Sequence, residues 1–326
     1  MKVLITGGAG FLGLRLARAL LARGHLTGPD GAATPIDKIV LLDAVAPAGL
    51  TDARLQIVTG DFAQPSLLAA ALDGDTHAVF HLAAVVSGQA EADFDLGMRI
   101  NLDGPRHLLE RCRALGHRPR VVFTSSVAVY GGTLPDVVPE DTALNPQSSY
   151  GAQKAIGELL LGDYSRKGFI DGRVLRLPTV SVRPGRPNAA ASSFASGIIR
   201  EPLHGESAVC PVSPETRLWL LSPRGAIDSL IAGYELAPEA LGNRRSLNLP
   251  GISITAGAMV EALARVAGPE VAALVRWEHD PRIDNIVSTW PAALDAQRAI
   301  SLGMRPEGDF DTIIRAYMQD ELPPPQ

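Results

Sequence analysis

Thr6-Gly7-Gly8-Ala9-Gly10-Phe11-Leu12-Gly13 decides the fold of this chain. It follows Val3-Leu4-Ile5, a short apolar run of strand character. It opens Leu12 to Arg23, where Leu16, Ala19, Leu20 and Arg23 recur at helical spacing and Gly24 marks the stop. Gly7, Gly10 and Gly13 form a G-x-x-G-x-x-G pattern. Glycines allow a tight turn and close backbone approach. The helix start adds free N–H groups and a positive dipole end. Strand, glycine loop and helix in that order predict a pyrophosphate cradle, with Gly7, Gly10, Phe11, Leu12 and Gly13 against a dinucleotide.

Outward from that loop, short apolar runs alternate with helical patterns. Lys38–Leu42, Gln56–Thr59, Ala78–Leu82, Val121–Ser125 and Val174–Leu177 read as strands. Pro65–Leu72, Leu96–Leu115 and a segment beginning near Tyr150 read as helices. This order predicts an α/β fold, a doubly wound parallel sheet covered on both faces. Thr27–Ile36 reads as a polar loop before the second strand. After residue 180, prolines break the pattern. We expect residues 1–175 to bind the cofactor and residues 176–326 to form a smaller C-terminal substrate-binding region, with strand and helix returns to the first domain.

The 326 residues carry a formal net charge of −5 and scattered lysines and arginines, which argues against a nucleic-acid or anionic-membrane surface. The only cysteines, Cys112 and Cys210, build neither a disulfide framework nor a metal site. No long apolar run suggests a membrane span, and Met1-Lys2 leads straight into the first strand. The expectation is a soluble cytoplasmic protein. Pro323-Pro324-Pro325 reads as a frayed end.

Asp43 closes the second strand, where an acid accepts hydrogen bonds from both ribose hydroxyls and repels a 2′-phosphate. No basic residue follows it in Ala44-Val45-Ala46, so NAD is favoured over NADP. Asp61 and Phe62 end the third strand, where an adenine edge and face could be met; Asp61 is equally readable as a helix N-cap. His81 reads as a packed strand histidine. Ala83 and Ala84 follow it, small where backbone passes the cofactor. Asn101 either orients site backbone or is a buried amide satisfied locally.

Tyr150 and Lys154 stand four apart and share one helix face. An ammonium beside a phenol favours the phenolate, which can take a proton from an alcohol. Alone, the spacing also fits a surface tyrosine beside a solvated lysine; the glycine loop and the serines upstream favour chemistry.

Together the glycine loop, Asp61, Thr124-Ser125-Ser126-x-x-Val129-Tyr130-Gly131 and Tyr150-x-x-x-Lys154 resemble the extended short-chain dehydrogenase/reductase family. The resemblance covers residues 1–180 closely and the rest loosely. It implies a Rossmann-type sheet with NAD. It also implies Ser126 as the catalytic serine, with Ser125 as its neighbour and Thr124 on the cofactor side. Pro178 and Thr179 would pass the nicotinamide. Ser126 would bind the substrate hydroxyl, Tyr150 would take its proton, and Lys154 would lower the tyrosine pKa and hold the nicotinamide ribose.

Family dehydratases carry an acidic pair where this chain has Val127-Ala128, so dehydration is not expected. Sugar-nucleotide members end a late arginine-aromatic stretch on an acid; here Arg217-Leu218-Trp219 runs on to Arg224, which points to a smaller anionic substrate. The Leu177–Leu203 stretch resembles members that oxidise a four-carbon sugar acid at C2 to the 2-keto acid with NAD. Arg183 is the first candidate for the carboxylate and Arg200 the second. Ser87, Ser192, Thr179 and Asn188 are candidates for the hydroxyls. The competing readings are a sugar-nucleotide epimerase that retains its NAD and a non-catalytic dinucleotide sensor. The resemblance further implies a homodimer through helices near 96–115 and 150–167.

Overall fold

The computed structural model describes residues 1–28, 31–187 and 190–322. Asn188 and the Pro323–Pro325 tail lie outside the described residues.

Seven strands form one parallel sheet: β1 (Lys2–Thr6), β2 (Lys38–Asp43), β3 (Leu55–Thr59), β4 (Thr76–His81), β5 (Arg120–Ser126), β6 (Asp171–Leu177) and β7 (Ser246–Asn248). Their order is β7-β6-β5-β4-β1-β2-β3, and every neighbouring pair is parallel. The chain therefore reverses its direction of winding between β1 and β4, and a crevice opens there beyond the carboxyl ends of the strands. Val3, Ile5, Ile39 and Leu41 face one buried layer while Leu4, Val40 and Leu42 face the other. That two-sided burial explains why these strands read as unbroken apolar runs.

Helices α1 (Phe11–Arg23), α2 (Pro65–Ala71), α3 (Gly104–Leu115) and α4 (Ser149–Arg166) cover the sheet's first half. One reading needs correction and one refinement. The Thr27–Ile36 segment is no simple loop: His25–Thr27 pairs antiparallel with Ala33–Pro35, because Leu26 is fully buried and anchors a strand. The Leu96–Leu115 segment is helical throughout, as expected, but not α-helical throughout. Met98–Asp103 forms a π-helical stretch before α3, in which the Gly104 N–H bonds to the Arg99 carbonyl five residues back. Pro105, lacking an N–H, cannot bond to the Asn101 carbonyl and so helps to leave the α-helical register broken there.

The later chain builds a second apolar core. Helices α5 (Phe194–Leu203), α6 (Pro223–Glu235), α7 (Ala256–Ala267) and α8 (Phe310–Glu321) occupy this half. Phe194, Ile198, Leu218, Met259, Leu263 and Ile314 share the second core, while α6 packs its Ile227, Leu230 and Ile231 into the sheet's own core. Strand Arg217–Leu221 pairs with Thr179–Val180 and with Ile252–Thr255. This small sheet carries the chain past the carboxyl end of β6. No helix among the described residues is long and apolar enough to cross a membrane.

Candidate active site

A cleft of about 360 Å³ lies at the switch point. The glycine loop, the end of β4, the end of β5, the start of α4 and the segment after β6 form its walls. Of the residues the sequence singles out, it brings together Gly7, Gly10, Phe11, Leu12, Gly13, Ala84, Ser87, Thr124, Ser125, Ser126, Tyr150, Lys154, Pro178, Thr179, Arg183 and Ser192. Asp43, Asp61, Phe62, Ala83 and Asn101 stand outside this lining.

The glycine loop fits a pyrophosphate. Gly7 has φ +70°, and a Cβ there would lie 2.8 Å from the Ala83 nitrogen. A Cβ on Gly13 would lie 2.1 Å from the Gly7 carbonyl oxygen. Side chains at either position would clash with backbone, so only glycines let the loop turn this tightly against β4 and the start of α1. Gly10 starts α1 without any side-chain cap, so the first turn keeps its N–H groups for an anion. Asp43 receives the Ala9 N–H at 2.9 Å on one carboxylate oxygen, which fixes its place beside the loop and leaves acceptor capacity for ribose hydroxyls.

One cofactor expectation is corrected, and Asn101 takes the backbone-orienting alternative. The Phe62 ring is buried, stacked on His81 with centroids 4.9 Å apart, so its face cannot meet an adenine. Asn101 makes no cleft contact. It grips the Val85 backbone on both sides, accepting the N–H at 2.8 Å and donating to the carbonyl at 3.0 Å, and donates to Gln153 at 2.8 Å. It orients the β4 exit against α4. Asp61 accepts the Ala63 N–H at 2.9 Å and pairs with Arg99, while Gln64 occupies the N-cap position of α2 without a side-chain cap bond. The N-cap reading of Asp61 therefore fails. His81 is the packed histidine expected: its Nδ1 meets the Thr6 hydroxyl at 2.7 Å, and burial holds its pKa well below the usual range.

On the catalytic side, Ser148 caps α4 by accepting the Gly151 N–H at 3.2 Å, which starts the helix just before Tyr150. Ser126 stands beside the Tyr150 phenol, near enough to lower its pKa. Lys154 is buried and donates to the Thr124 carbonyl at 2.9 Å. Its ammonium lies over the Phe123 ring at 4.9 Å and the Tyr150 ring at 5.7 Å.

The electrostatics differ from the expectation. Burial pushes the Tyr150 phenol up to about 12, against the opposing effects of the neighbouring Ser126 and the Arg183 charge. Lys154 is not among the groups that lower it. Burial pulls Lys154 itself down to about 8, with Glu158 acting the other way. Burial drives both groups toward their neutral forms, and Arg183 is the cation that favours a phenolate.

Ser125 is also corrected. Its hydroxyl donates to Glu158, which Arg176 grips with Nη2 at 2.8 Å and Nε at 3.1 Å. Arg176 runs on to Tyr130 and Asn248. Ser125 thus ties the strand end to a buried polar network, and its hydroxyl is not free for substrate. Arg200, the second carboxylate candidate, pairs with Glu201 at 2.6 Å. Arg183 lines the cleft, and its guanidinium has no carboxylate partner among the described residues. Burial and the nearby Arg200 charge lower its pKa. Leu82, Val86, Leu177, Val180 and Trp290 also line the cleft. Nothing in the local sequence marks Trp290, which arrives from far along the chain.

A Rossmann cleft at the switch point, with an uncapped glycine-loop helix and a Ser–Tyr–Lys cluster facing it, defines an NAD-dependent oxidoreductase. The chain belongs to the NAD dependent epimerase/dehydratase family, whose profile matches residues 3–219. A Cupriavidus necator protein called D-erythronate dehydrogenase is 69% identical over 320 residues, covering 98% of each chain. A Haemophilus influenzae protein of the same name is 45% identical over 323 residues, covering 99% of this chain and all of its own. A solved structure described as the nucleoside-diphosphate-sugar epimerase from Agrobacterium tumefaciens matches with TM-score 0.92 and 45% identity, covering 99% of this chain and 94% of that one.

Proposed function

We propose that this NAD-dependent dehydrogenase oxidises D-erythronate at C2 to 2-dehydro-D-erythronate. The observation that carries the reading is Arg183, a half-buried guanidinium without a carboxylate partner among the described residues, on the same cleft wall system as Ser126 and Tyr150. A buried unpaired cation favours an anion beside it, and a planar guanidinium grips a carboxylate with two parallel hydrogen bonds. A 2-hydroxy acid held there presents its C2 hydroxyl next to its carboxylate. The names of the two curated relatives support the same substrate.

NAD bound in this cleft would supply the hydride acceptor for C2. The glycine loop and Asp43 would hold its pyrophosphate and ribose, and Pro178, Thr179 and Lys154 would hold the nicotinamide end. Ser126 orients the substrate hydroxyl, and Tyr150 takes its proton. The phenol must ionise for this step, so positive charge gathered around it, from Arg183 and the bound cofactor, offsets the effect of burial. Ser87 and Ser192 meet the remaining hydroxyls. On this reading residues 1–175 serve the cofactor and residues 176–326 the substrate. Exposed Ile156 and Leu159 on α4 support a homodimer, which sedimentation would test.

The second reading, a sugar-nucleotide epimerase, is favoured by the description of the Agrobacterium tumefaciens structure. Neither Arg217 nor Arg224 lines the cleft here, and Arg224 pairs with Asp320. The test is net NADH formation with D-erythronate and a panel of longer aldonates. An enzyme that retains NAD through purification and forms no net NADH with any of them overturns the dehydrogenase reading.

A further inference from the structure

We infer that Arg200 and Ser196, both on α5, are positioning residues that fix how Arg183 meets the substrate, and so set the preference for an acid over a neutral alcohol. The inference rests on the carboxylate role proposed for Arg183. Ser196 accepts the Arg183 main-chain N–H at 3.0 Å. Arg200 donates from Nη1 to the Arg183 carbonyl at 2.8 Å, and its Nη2 holds Glu201 at 2.6 Å. One helix thereby grips the Arg183 peptide from both sides. Ser181 extends the grip, donating its hydroxyl to the Ala195 carbonyl at 2.8 Å.

The grip has an electrostatic consequence. Arg200 is buried and its charge is matched by Glu201. Besides burial, the Arg200 charge still lowers the Arg183 pKa, while Tyr150 on the cleft side acts the other way. Repulsion disfavours its folding back onto the helix, and the open direction is the cleft that it lines with Tyr150. Arg200 does not line the cleft, and its guanidinium donates to the Arg183 carbonyl and to Glu201. Its effect passes through the place it gives Arg183.

The experiment measures NADH formation by Arg200→Met, Arg200→Lys and Ser196→Ala, each with D-erythronate and with D-erythronamide, the same skeleton bearing a neutral amide. Loss of the fork should lower the preference for acid over amide about tenfold in Arg200→Met, corresponding to one weakened charged contact, with no matching rise in KM for NAD. Arg200→Lys should recover part of that preference, and Ser196→Ala should lose about threefold. Equal losses for acid and amide overturn the inference, as does an unchanged preference in the folded variants. Should Arg200→Met fail to fold, Ser196→Ala and Arg200→Lys decide. Arg183→Met separates the two levels. If it leaves the acid preference intact, the carboxylate reading fails. If it removes the preference while the α5 variants keep it, only the positioning inference fails.

Discussion

Lys154 donates to the Thr124 main-chain carbonyl at 2.9 Å, and this bond joins helix α4 to the end of β5. Tyr150 lies one turn before the lysine and Ser126 two residues beyond the threonine, so one buried contact sets the spacing of the proton-handling groups. The contact also holds the ammonium over ring faces, where burial matters more to both partners than their mutual charge.

Tyr150→Phe should reduce turnover by about a thousandfold or more, because the ring remains and only the proton acceptor is lost. NAD affinity, read by fluorescence titration, should change less than about threefold, since the pyrophosphate cradle lies on another wall. Substantial activity in this variant would remove Tyr150 from its role.

Asp43→Asn should lower kcat/KM for NAD by about tenfold and narrow the preference over NADP, because the amide accepts less strongly from ribose hydroxyls and no longer repels a phosphate. Parallel initial rates with both cofactors check this. The Ala9 N–H bond to Asp43 can pass to the amide oxygen. Overall stability should therefore stay within about 1 kcal/mol of the parent.

How much of this was legible depends on sequence distance. The glycine loop, the strand runs and the Tyr150–Lys154 spacing are local patterns, and chain geometry turns them directly into structure. Ser125 and Phe62 mislead because local sequence shows a residue's position but not its side-chain partners. The Ser125 partner is Glu158, 33 residues on, and the Phe62 ring packs against His81. Asn248 joins the same network 72 residues beyond Arg176. Burial, which moves Tyr150 up and Lys154 down, is likewise a property of the assembled fold. Trp290 reaches the cleft only through the second core.

Lys154→Met supplies a pH test. The folded lysine is lowered from 10.5 to about 8. Below the folded value, both states are protonated and the parent carries the full cost of a buried ammonium. As pH rises from there toward the unfolded value, the unfolded chain binds more protons than the folded one, so parent stability rises. The variant lacks this contribution. Between about pH 7 and about pH 10 the parent should therefore gain on the order of 2 kcal/mol relative to Lys154→Met, by urea unfolding, while the variant stays inactive. A difference that stayed flat across this range would place the ammonium in water.

Glu158 separates a buried ion pair from a surface one on the same helix. Its carboxylate takes the Ser125 hydroxyl and the Arg176 fork, and both partners of the ion pair are nearly excluded from water. Glu158→Gln removes the charge but keeps the shape, leaving the Arg176 guanidinium buried with only neutral acceptors at Tyr130, the Glu140 carbonyl and Asn248. An uncompensated buried charge should cost about 3 kcal/mol by denaturant unfolding. Asp163→Asn breaks the exposed pair with Arg166, 2.6 Å apart and open to solvent, and should cost less than about 1 kcal/mol. Glu158 also raises the Lys154 pKa, so its loss should move the lysine further down. A Glu158→Gln variant as stable as Asp163→Asn would mean that the network behind β5 adds nothing to holding Ser126 in place.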